Sequence, residues 1–363
     1  MKIAFITGCL EPGYDGVGDY TTLLARECER LGHEVCLMSL NDPHANARES
    51  NGSRLRLSSS LPWAERIGKA RSFLTSFGAD FASLQFVCYS FHPRGLDIGL
   101  ASRLRSIIGE RPLHIMFHEL WIGAGKGTRL KERIFGNLQR FGVLRIIRKA
   151  NVRVVHSSNA SGVALLRSCG IPASVLPLFG SIPLPPPELE EKLQSGNTLT
   201  FGLFGTLHPV WQPEPLFSRL QAIGKQIVVA HIGTIGSGEA LWNKLTRDYA
   251  GIIEFRRHGE QLPERIAEFF RSEIDFGIAT TPWALIGKSA TVAAMLDHGL
   301  PVVVTRDDWQ IGDAASVQPS SPLLIKMEAD LAEKLSAARR TMPVLRLPAV
   351  AAQFLSDIEK TFK

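Results

Sequence analysis

The sequence predicts an α/β protein built from two doubly wound domains that face a cleft. Strand-like apolar runs alternate with helical patterns in two successive series, and a proline-rich segment separates the series. The 363 residues are 45% hydrophobic and 21% charged, which suffices for two globular cores. We expect domains over 1–180 and 198–344, a linker over 181–197, and a terminal helix over 345–363 that packs back across the cleft.

The first domain opens with a βαβ unit. Lys2 to Thr7 reads as a buried strand, a glycine-rich loop follows over 11–20, and an amphipathic helix leads to a second strand over 34–40. The glycines do not fit GxGxxG and no acidic residue ends the second strand, so the pattern argues against a nicotinamide cofactor. Residues 41–61 are polar and predicted to form a loop. Further strands are expected over 80–86, 113–118, 152–157 and 174–178.

The linker and the second domain follow. Four prolines mark the linker: Pro183, Pro185, Pro186 and Pro187. Strands beginning at Thr198 then alternate with helices expected over 214–223, 239–249 and 263–271. The segment 274–305, IDFGIATTPWALIGKSATVAAMLDHGLPVVVT, predicts a strand, a loop, a helix over 290–297 and a parallel strand.

The loop of this last segment is the predicted anion site. It places free backbone N–H groups and the positive end of the helix dipole at the carboxyl end of a strand, where phosphate fits. Lys288 could add a point charge, and Ser289 could donate its hydroxyl to phosphate or cap the helix. An ordinary loop, with Ser289 as N-cap and Lys288 in solvent, explains the pattern equally well. A P-loop is excluded because Pro282 stands where that motif has glycine.

Composition narrows the functional classes. No run approaches the ~20 apolar residues that span a bilayer, and KIAFITG at the start has no signal-peptide pattern, so we expect a cytoplasmic protein, with a peripheral position on the inner membrane face as an option. The scattered cysteines lack CxxC spacing, which argues against a zinc site or a disulfide framework. The net charge of +6 suits anionic substrates or an anionic membrane, and no nucleic-acid motif is present.

The order of landmarks resembles the GT-B glycosyltransferases, specifically the retaining family 4 type, whose domains are Rossmann-like. The resemblance rests on these stretches: EPGYDGVGDYTTLLARECERLGHEV, IMFHEL, VRVVHSSNASGVALLRSCGIPASVLPL, LTFGLFGTLHP and MLDHGLPVVV. It implies a hexosyltransferase of polysaccharide biosynthesis that moves a sugar from a nucleotide-diphosphate donor to a carbohydrate or lipid-linked acceptor. Retention, no metal site and no cofactor beyond the nucleotide-sugar co-substrate are implied with it.

The resemblance also suggests site residues. His118 matches the histidine near the reacting sugar, where it could hydrogen-bond a hydroxyl or accept a proton. Asp19 could hold an acceptor hydroxyl or cap a helix, and Gly16 and Gly18 would let the first loop approach a phosphate or the acceptor. The backbone amides near Ser289 and Ala290 match the phosphate-binding amides of the family.

The donor loop departs from the family pattern. Thr206 occupies the position of the usual arginine, and His208-Pro209-Val210-Trp211 offers no lysine. Ile286 and Ala294 stand where the family has two glutamates. Lys288 is therefore the first candidate to neutralise the diphosphate, and Arg256 with Arg257 is the second, although a solvated strand end explains those arginines as well. Trp211 could stack on a base or sugar ring, or could fill the hinge.

These departures keep two alternative functions open: a GT-B protein without transfer activity that binds a sugar phosphate or polysaccharide, and a sugar-nucleotide epimerase. The segment 129–149 adds a membrane hypothesis. Its apolar stripe of Leu130, Ile134, Leu138 and Phe141 lies among basic residues, which suits an anionic membrane and a lipid-linked acceptor. The alternative is a core-packed helix with a solvated basic face.

Overall fold

The computed structural model describes residues 1–46, 48–186, 189, 196–311 and 321–362. The chain forms two compact units. The first holds Met1–Pro177 together with the C-terminal stretch Leu347–Lys363, and the second holds Leu178–Trp309 and the stretch that ends at Arg346. Both units consist of a mainly parallel sheet with helices, which confirms the predicted α/β class. Of the predicted linker, residues 187, 188 and 190–195 lie outside the described part of the chain.

The first unit contains an eight-stranded sheet in the order β3-β4-β2-β1-β5-β6-β7-β8. Its strands are β1 Lys2–Thr7, β2 Glu34–Asp42, β3 Arg48–Asn51, β4 Arg54–Ser58, β5 Phe81–Phe86, β6 Leu113–Phe117, β7 Val152–Ser157 and β8 Ser174–Val175. Its first helices are α1 Gly16–Arg30, α2 Trp63–Phe77, α3 Leu100–Ile108, α4 Leu130–Lys149 and α5 Ala160–Ser168. All neighbouring strands are parallel except β3 and β4. A short 3₁₀ helix, Cys88–Ser90, follows β5.

The prediction of a loop over 41–61 is wrong, because β2 runs to Asp42 and both β3 and β4 lie in this stretch. The sequence RLRLS looks polar, but it forms a strand whose side chains make contacts on both faces of the sheet. Leu55 and Leu57 are fully buried, and Arg56 between them pairs with the buried carboxylate of Asp42 at 2.9 Å. Alternation in this strand is therefore between apolar packing and ion pairing.

The second unit contains a six-stranded parallel sheet in the order β11-β10-β9-β12-β13-β14. Its strands are β9 Thr198–Phe204, β10 Gln226–Ile232, β11 Ile253–Gly259, β12 Phe276–Ala279, β13 Val302–Val304 and β14 Leu324–Lys326. Its helices are α6 Glu214–Gln221, α7 Glu239–Asp248, α8 Pro263–Glu268, α9 Ala290–Asp297 and α10 Leu331–Ala337. Short helical turns cover Gly236–Gly238, Phe269–Glu273 and Trp283–Lys288. The bounds predicted for the helix of segment 274–305 are confirmed, whereas part of its predicted loop is the 3₁₀ helix Trp283–Lys288.

The last helix, α11 Leu347–Glu359, belongs to the first unit and ends in a 3₁₀ turn, Lys360–Phe362. The ring of Phe354 lies 5.7 Å from that of Phe5 on β1 and 5.0 Å from that of His114 on β6. The opposite face of this sheet packs apolar side chains such as Leu84 and Ile115 with those of α2 and α3. Helix α11 thus covers the sheet face that carries Phe5 and His114.

Candidate functional site

Three glycines in the left-handed region gather where strands β9 and β10 end. Gly205 follows β9 with φ +73°, and Gly233 and Gly236 follow β10 with φ +95° and +60°. A Cβ on Gly233 would lie 3.3 Å from the Gly205 Cα, and a Cβ on Gly205 would lie 3.1 Å from Cγ2 of Thr291. These close approaches leave the main chain of the two loops beside the first turn of α9.

The first turn of α9 presents donors to this glycine cluster. Ser289 is the N-cap, because its side-chain oxygen accepts from the Val292 N–H at 3.3 Å. Its hydroxyl also lies 3.0 Å from that of Thr291. The N–H groups of Ala290 and Thr291 precede the first intrahelical bonds, and neither has an acceptor within the described ranges of the chain. Two main-chain donors and a helix dipole therefore point where an anion would bind.

The side chain of His231 is hydrogen-bonded to the loop that carries Gly205. It is fully buried on β10, and its Nε2 donates to the Gly205 carbonyl at 2.8 Å. Burial lowers the pKa of His231, and the hydrogen bond to Gly205 acts in the opposite direction. The ring is therefore neutral near pH 7 and serves to fix the loop after β9.

Two other predicted donor-site residues adjoin this cluster. Thr206 is exposed directly after Gly205, and a Cβ on Gly236 would lie 2.9 Å from its Cγ2. Lys288 is half-buried and precedes the N-cap of α9. The structure thus brings Thr206, Ser289 and Ala290 to one end of the parallel sheet, with Lys288 next along the chain.

Arg256 and Trp211 are placed elsewhere. Arg256 is exposed on the edge strand β11, pairs with Glu254 at 2.7 Å and aligns with Ala230 in mid-strand. Trp211 is only 2% exposed, and its Nε1 donates to the Thr305 hydroxyl at 2.9 Å. The stacking role predicted for Trp211 needs correction, because its ring belongs to the core of the second unit and offers no face to a base or sugar.

The two positions where the resembled family has glutamates are both buried in this chain. Ile286 and Ala294 are 5% and 1% exposed. A Cβ on Gly180 would lie 2.6 Å from the Ala294 Cα, so main chain packs against this part of α9. A carboxylate at position 294 would therefore have no room.

In the first unit, the predicted loop over 11–20 already includes the first turn of α1. Asp15 is the N-cap and accepts from the Val17 N–H, while Gly16 begins the helix. A Cβ on Gly18 would lie 2.6 Å from the Cys9 carbonyl oxygen, so this glycine is required for close packing. Both carboxylate oxygens of Asp19 accept from the Gly13 N–H, at 3.1 and 3.2 Å, and Asp19 therefore holds the loop closed.

The prediction that no acidic residue ends the second strand is wrong, because β2 ends at Asp42. Its carboxylate is fully buried and accepts from the guanidinium of Arg56 and from the amides of Leu10 and His44. Burial opposes its ionisation, but these hydrogen bonds hold the pKa of Asp42 well below its usual range. The carboxylate fastens the loop after β1 and is not exposed to a ribose.

His118 lies at the carboxyl end of β6. It is 7% exposed, its Nε2 lies 2.9 Å from Oε1 of Gln85, and the ring of Tyr20 packs edge-on at 4.8 Å. Burial lowers the pKa of His118 to about 3. The imidazole is therefore neutral at physiological pH and can exchange hydrogen bonds with a hydroxyl without carrying charge.

A separate open cavity of about 630 Å³ lies in the first unit, at the ends of β1, β2 and β4. Tyr14, His44, Trp63 and Tyr89 form aromatic walls, and Asp15, Asn41, Ser59 and Arg66 are among its polar groups. Guanidinium groups of Arg66 and Arg103 lie 3.9 and 4.5 Å from the Trp63 ring. Aromatic faces with polar groups between them are suited to a polar ring such as a sugar.

Helix α4 exposes the apolar stripe of segment 129–149. Leu130, Ile134, Leu138 and Phe141 are 71%, 53%, 45% and 48% exposed. The opposite face packs through other residues: Gly136, Gln139, Val143 and Ile146. The helix therefore packs on the core, as the alternative expected, but it does so through residues other than the stripe. No helix in the described ranges has both the length and the hydropathy needed to cross a membrane.

Sequence reasoning missed the glycine cluster and its support. The signal was present, since TLTFGLFG and QIVVAHIG both end a strand in glycine. The contacts of His231 and Thr291 with these glycines could not be predicted, because they join elements that are far apart in the sequence. Among the residues that the structure describes, no group of three or more His, Cys, Asp or Glu side chains is placed to hold a metal ion.

Comparison with solved structures decides the fold. Anabaena Alr3699/HepE in complex with UDP aligns over 99% of this chain and 100% of its own, with a TM-score of 0.60 and 15% identity. The chain has the GT-B fold. The lipopolysaccharide outer core galactosyltransferase WaaB (TM-score 0.57, 13% identity, 99% and 100% covered) and a glycosyltransferase from Rickettsia africae ESF-5 (0.58, 13%, 100% and 98%) share it. No protein-family model and no curated protein sequence matches the chain.

Proposed function

We propose that this GT-B protein is a glycosyltransferase that moves a sugar, a hexose by resemblance, from a nucleotide-diphosphate donor to a carbohydrate or lipid-linked acceptor. The observation that carries the proposal is the glycine cluster against the open N-terminus of α9. In open α/β sheets, ligands bind at the carboxyl ends of the strands, and phosphate is favoured at a helix N-terminus. Solved GT-B neighbours bind UDP and UDP-glucose, which supports a nucleotide-sugar donor here.

The departing diphosphate would be stabilised by fixed dipoles and one cation. The amides of Ala290 and Thr291 donate to phosphate oxygens, and Lys288 supplies positive charge beside them. Gly205 and Gly233 lack side chains that would keep the phosphates away from the main chain. These groups can neutralise a leaving diphosphate without a metal ion. Retention at the anomeric carbon follows from the family resemblance.

The first unit would supply the acceptor side. Neutral His118 would hydrogen-bond a sugar hydroxyl, while Gly18 and Asp19 hold the loop after β1 in place. The aromatic cavity around Trp63 and Tyr89 would receive a sugar ring of the acceptor. A carbohydrate acceptor accounts for both the aromatic walls and the polar groups of that cavity.

Helix α4 supports an acceptor held at a membrane. Its exposed stripe combines with seven basic residues and a single acidic one between positions 129 and 149: Arg129, Lys131, Arg133, Arg140, Arg145, Arg148, Lys149 and the acidic Glu132. Apolar side chains that enter a lipid interface, with cations at the headgroups, are typical of helices that lie on anionic bilayers. Such contact would bring the protein to the cytoplasmic face of the membrane, where a lipid-linked acceptor is presented.

Calorimetric titration with UDP, GDP, ADP and TDP tests the donor site. We expect saturable binding of one nucleotide, weakened about tenfold or more in Lys288→Ala because a charge-assisted contact is lost. Arg256→Ala is the matched control, since Arg256 is an exposed cation of the same unit that lies away from α9. Absence of binding by all four nucleotides to folded protein would contradict the proposal. Binding without transfer of the bound nucleotide's sugar to any acceptor would favour the binding-protein alternative, and release of an isomerised donor would indicate an epimerase.

A further inference from the structure

An unbroken chain of hydrogen bonds links His118 to the interior of the first unit. Nε2 of His118 lies 2.9 Å from Oε1 of Gln85, and Nε2 of Gln85 lies 2.9 Å from the hydroxyl of Ser83. That hydroxyl lies 2.8 Å from Nδ1 of His114. Gln85 and Ser83 are on β5, so this series of hydrogen bonds passes from His118 at the end of β6 to the neighbouring strand β5 and returns to His114 on β6.

The chain continues to the C-terminal helix. Nε2 of His114 lies 3.1 Å from Nδ1 of His156 on β7. Nε2 of His156 in turn lies 3.2 Å from Oδ2 of Asp357 on α11. The other oxygen of Asp357 accepts from Lys360 at 2.8 Å, so the carboxylate is held at both ends. Five hydrogen bonds in all separate His118 from Asp357.

The interior members of this chain are sealed from solvent. Ser83, Gln85, His114 and His156 are all 0% exposed. Burial lowers the pKa of His114 and of His156, although Asp357 acts in the opposite direction on His156. Both rings are therefore neutral, and each has one nitrogen that donates and one that accepts.

The carboxylate of Asp357 determines which atom is the donor in each of the three hydrogen bonds that run from it to Ser83. Asp357 can only accept, so the proton of His156 must be on Nε2. Nδ1 of His156 is then an acceptor, which requires the proton of His114 to be on Nε2 as well. Nδ1 of His114 is left as an acceptor, and the hydroxyl of Ser83 must donate to it.

The same reasoning determines the donor in each of the two remaining hydrogen bonds, which run from Ser83 to His118. Because the single O–H of Ser83 is used in the hydrogen bond to His114, its oxygen accepts from the amide N–H of Gln85. The carbonyl oxygen of Gln85 then accepts from Nε2–H of His118. Nδ1 of His118 is left unprotonated, and it makes no hydrogen bond with any residue in the described ranges.

We propose that Asp357 is a positioning residue that, through these five hydrogen bonds, holds His118 in the Nε2–H tautomer. Nδ1 is then the atom that receives a hydrogen bond from a substrate hydroxyl. The inference rests on the proposed function only for the role of His118 toward substrate. The tautomer itself is a property of the free protein and can be measured without donor or acceptor.

Nitrogen NMR on protein with ¹⁵N-labelled histidine tests this inference, because protonated and unprotonated ring nitrogens have different shifts. The His118 signals are assigned by their loss in His118→Asn. We expect one tautomer of His118, protonated on Nε2, in the wild type. Asp357→Leu removes the terminal acceptor and Ser83→Ala breaks the chain in its middle, and each should produce an Nδ1–H signal from His118.

The controls separate ordering of the chain from folding. Lys360→Ala leaves Oδ2 of Asp357 in place and should keep the wild-type tautomer. Asp357→Glu should restore it relative to Asp357→Leu. If Asp357→Leu fails to fold, Ser83→Ala decides. An Nδ1-protonated His118 in the wild type, or an unchanged tautomer in the folded variants, would overturn the inference. If the wild-type protein has the Nε2–H tautomer but binds no nucleotide and transfers no sugar, the proposed function is wrong and the inference about the tautomer stands.

Discussion

Replacing Ala290 with proline should remove one phosphate donor from the start of α9 without breaking the helix. Ala290 is exposed at the first helical position, where proline is favoured. Ser289 before it has φ −89° and ψ 107°, which is close to the extended conformation that precedes proline. A hydrogen bond to a charged group contributes about 1.5–3 kcal/mol, so the loss predicts roughly 10- to 150-fold weaker binding of a nucleoside diphosphate.

Calorimetric titration of the variant measures this loss, and Ala160→Pro provides a matched control. Ala160 is the first residue of α5 in the other unit, and its N-cap Asn159 is also extended, with φ −148° and ψ 157°. The control should bind like the wild type. Urea unfolding should show that both variants retain wild-type stability within about 1 kcal/mol. Folded Ala290→Pro that binds within about twofold of the wild type would refute the role assigned to the amides of α9.

Three further predictions concern the first unit and the second unit's surface. Gly18→Ala should destabilise the protein by roughly 1–3 kcal/mol in urea unfolding, because its Cβ meets a carbonyl oxygen at 2.6 Å. Gly16→Ala, with no described atom within 4 Å of its Cβ, should not, and equal effects would contradict the packing argument. The pKa of His118, lowered from 6.5 to about 3, means that the unfolded chain binds more protons between these values. Stability should therefore fall as pH drops from 6.5 towards 3, and His118→Asn should flatten that slope in acid titrations; an unchanged slope would argue against a neutral buried ring. Phe141→Gln should reduce co-sedimentation with phosphatidylglycerol vesicles, whereas Met342→Gln, 81% exposed in the second unit, should not; equal loss in both would exclude α4 as the contact.

Periodicity predicted the elements that build the sites. The helix over 290–297 was predictable because Ser289 caps a short apolar run that Gly299 and Pro301 end. The strand Arg54–Ser58 was not, because its arginines read as surface residues until the buried Asp42 explains one of them. Polar residues that pair inside a fold carry no sign of burial in the sequence alone.

Individual site residues were harder to place than elements. The place of Ser289 and Ala290 at a helix N-terminus could be predicted, since such a terminus is a local feature. Trp211 could not, because it is buried by packing in the core of the second unit and bonds Thr305, 94 positions away. The chain from His118 to Asp357 likewise depends on the register of three strands and the docking of α11, which no local pattern specifies.

The central claim is that a donor diphosphate binds at the glycine cluster on the N-terminus of α9. The most direct measurement is a crystal structure of the protein with the nucleoside diphosphate that calorimetry selects. We predict a phosphate oxygen within about 3.2 Å of the Ala290 or Thr291 amide nitrogen, beside Gly205. A nucleotide bound elsewhere, with these amides facing only solvent, would contradict the account.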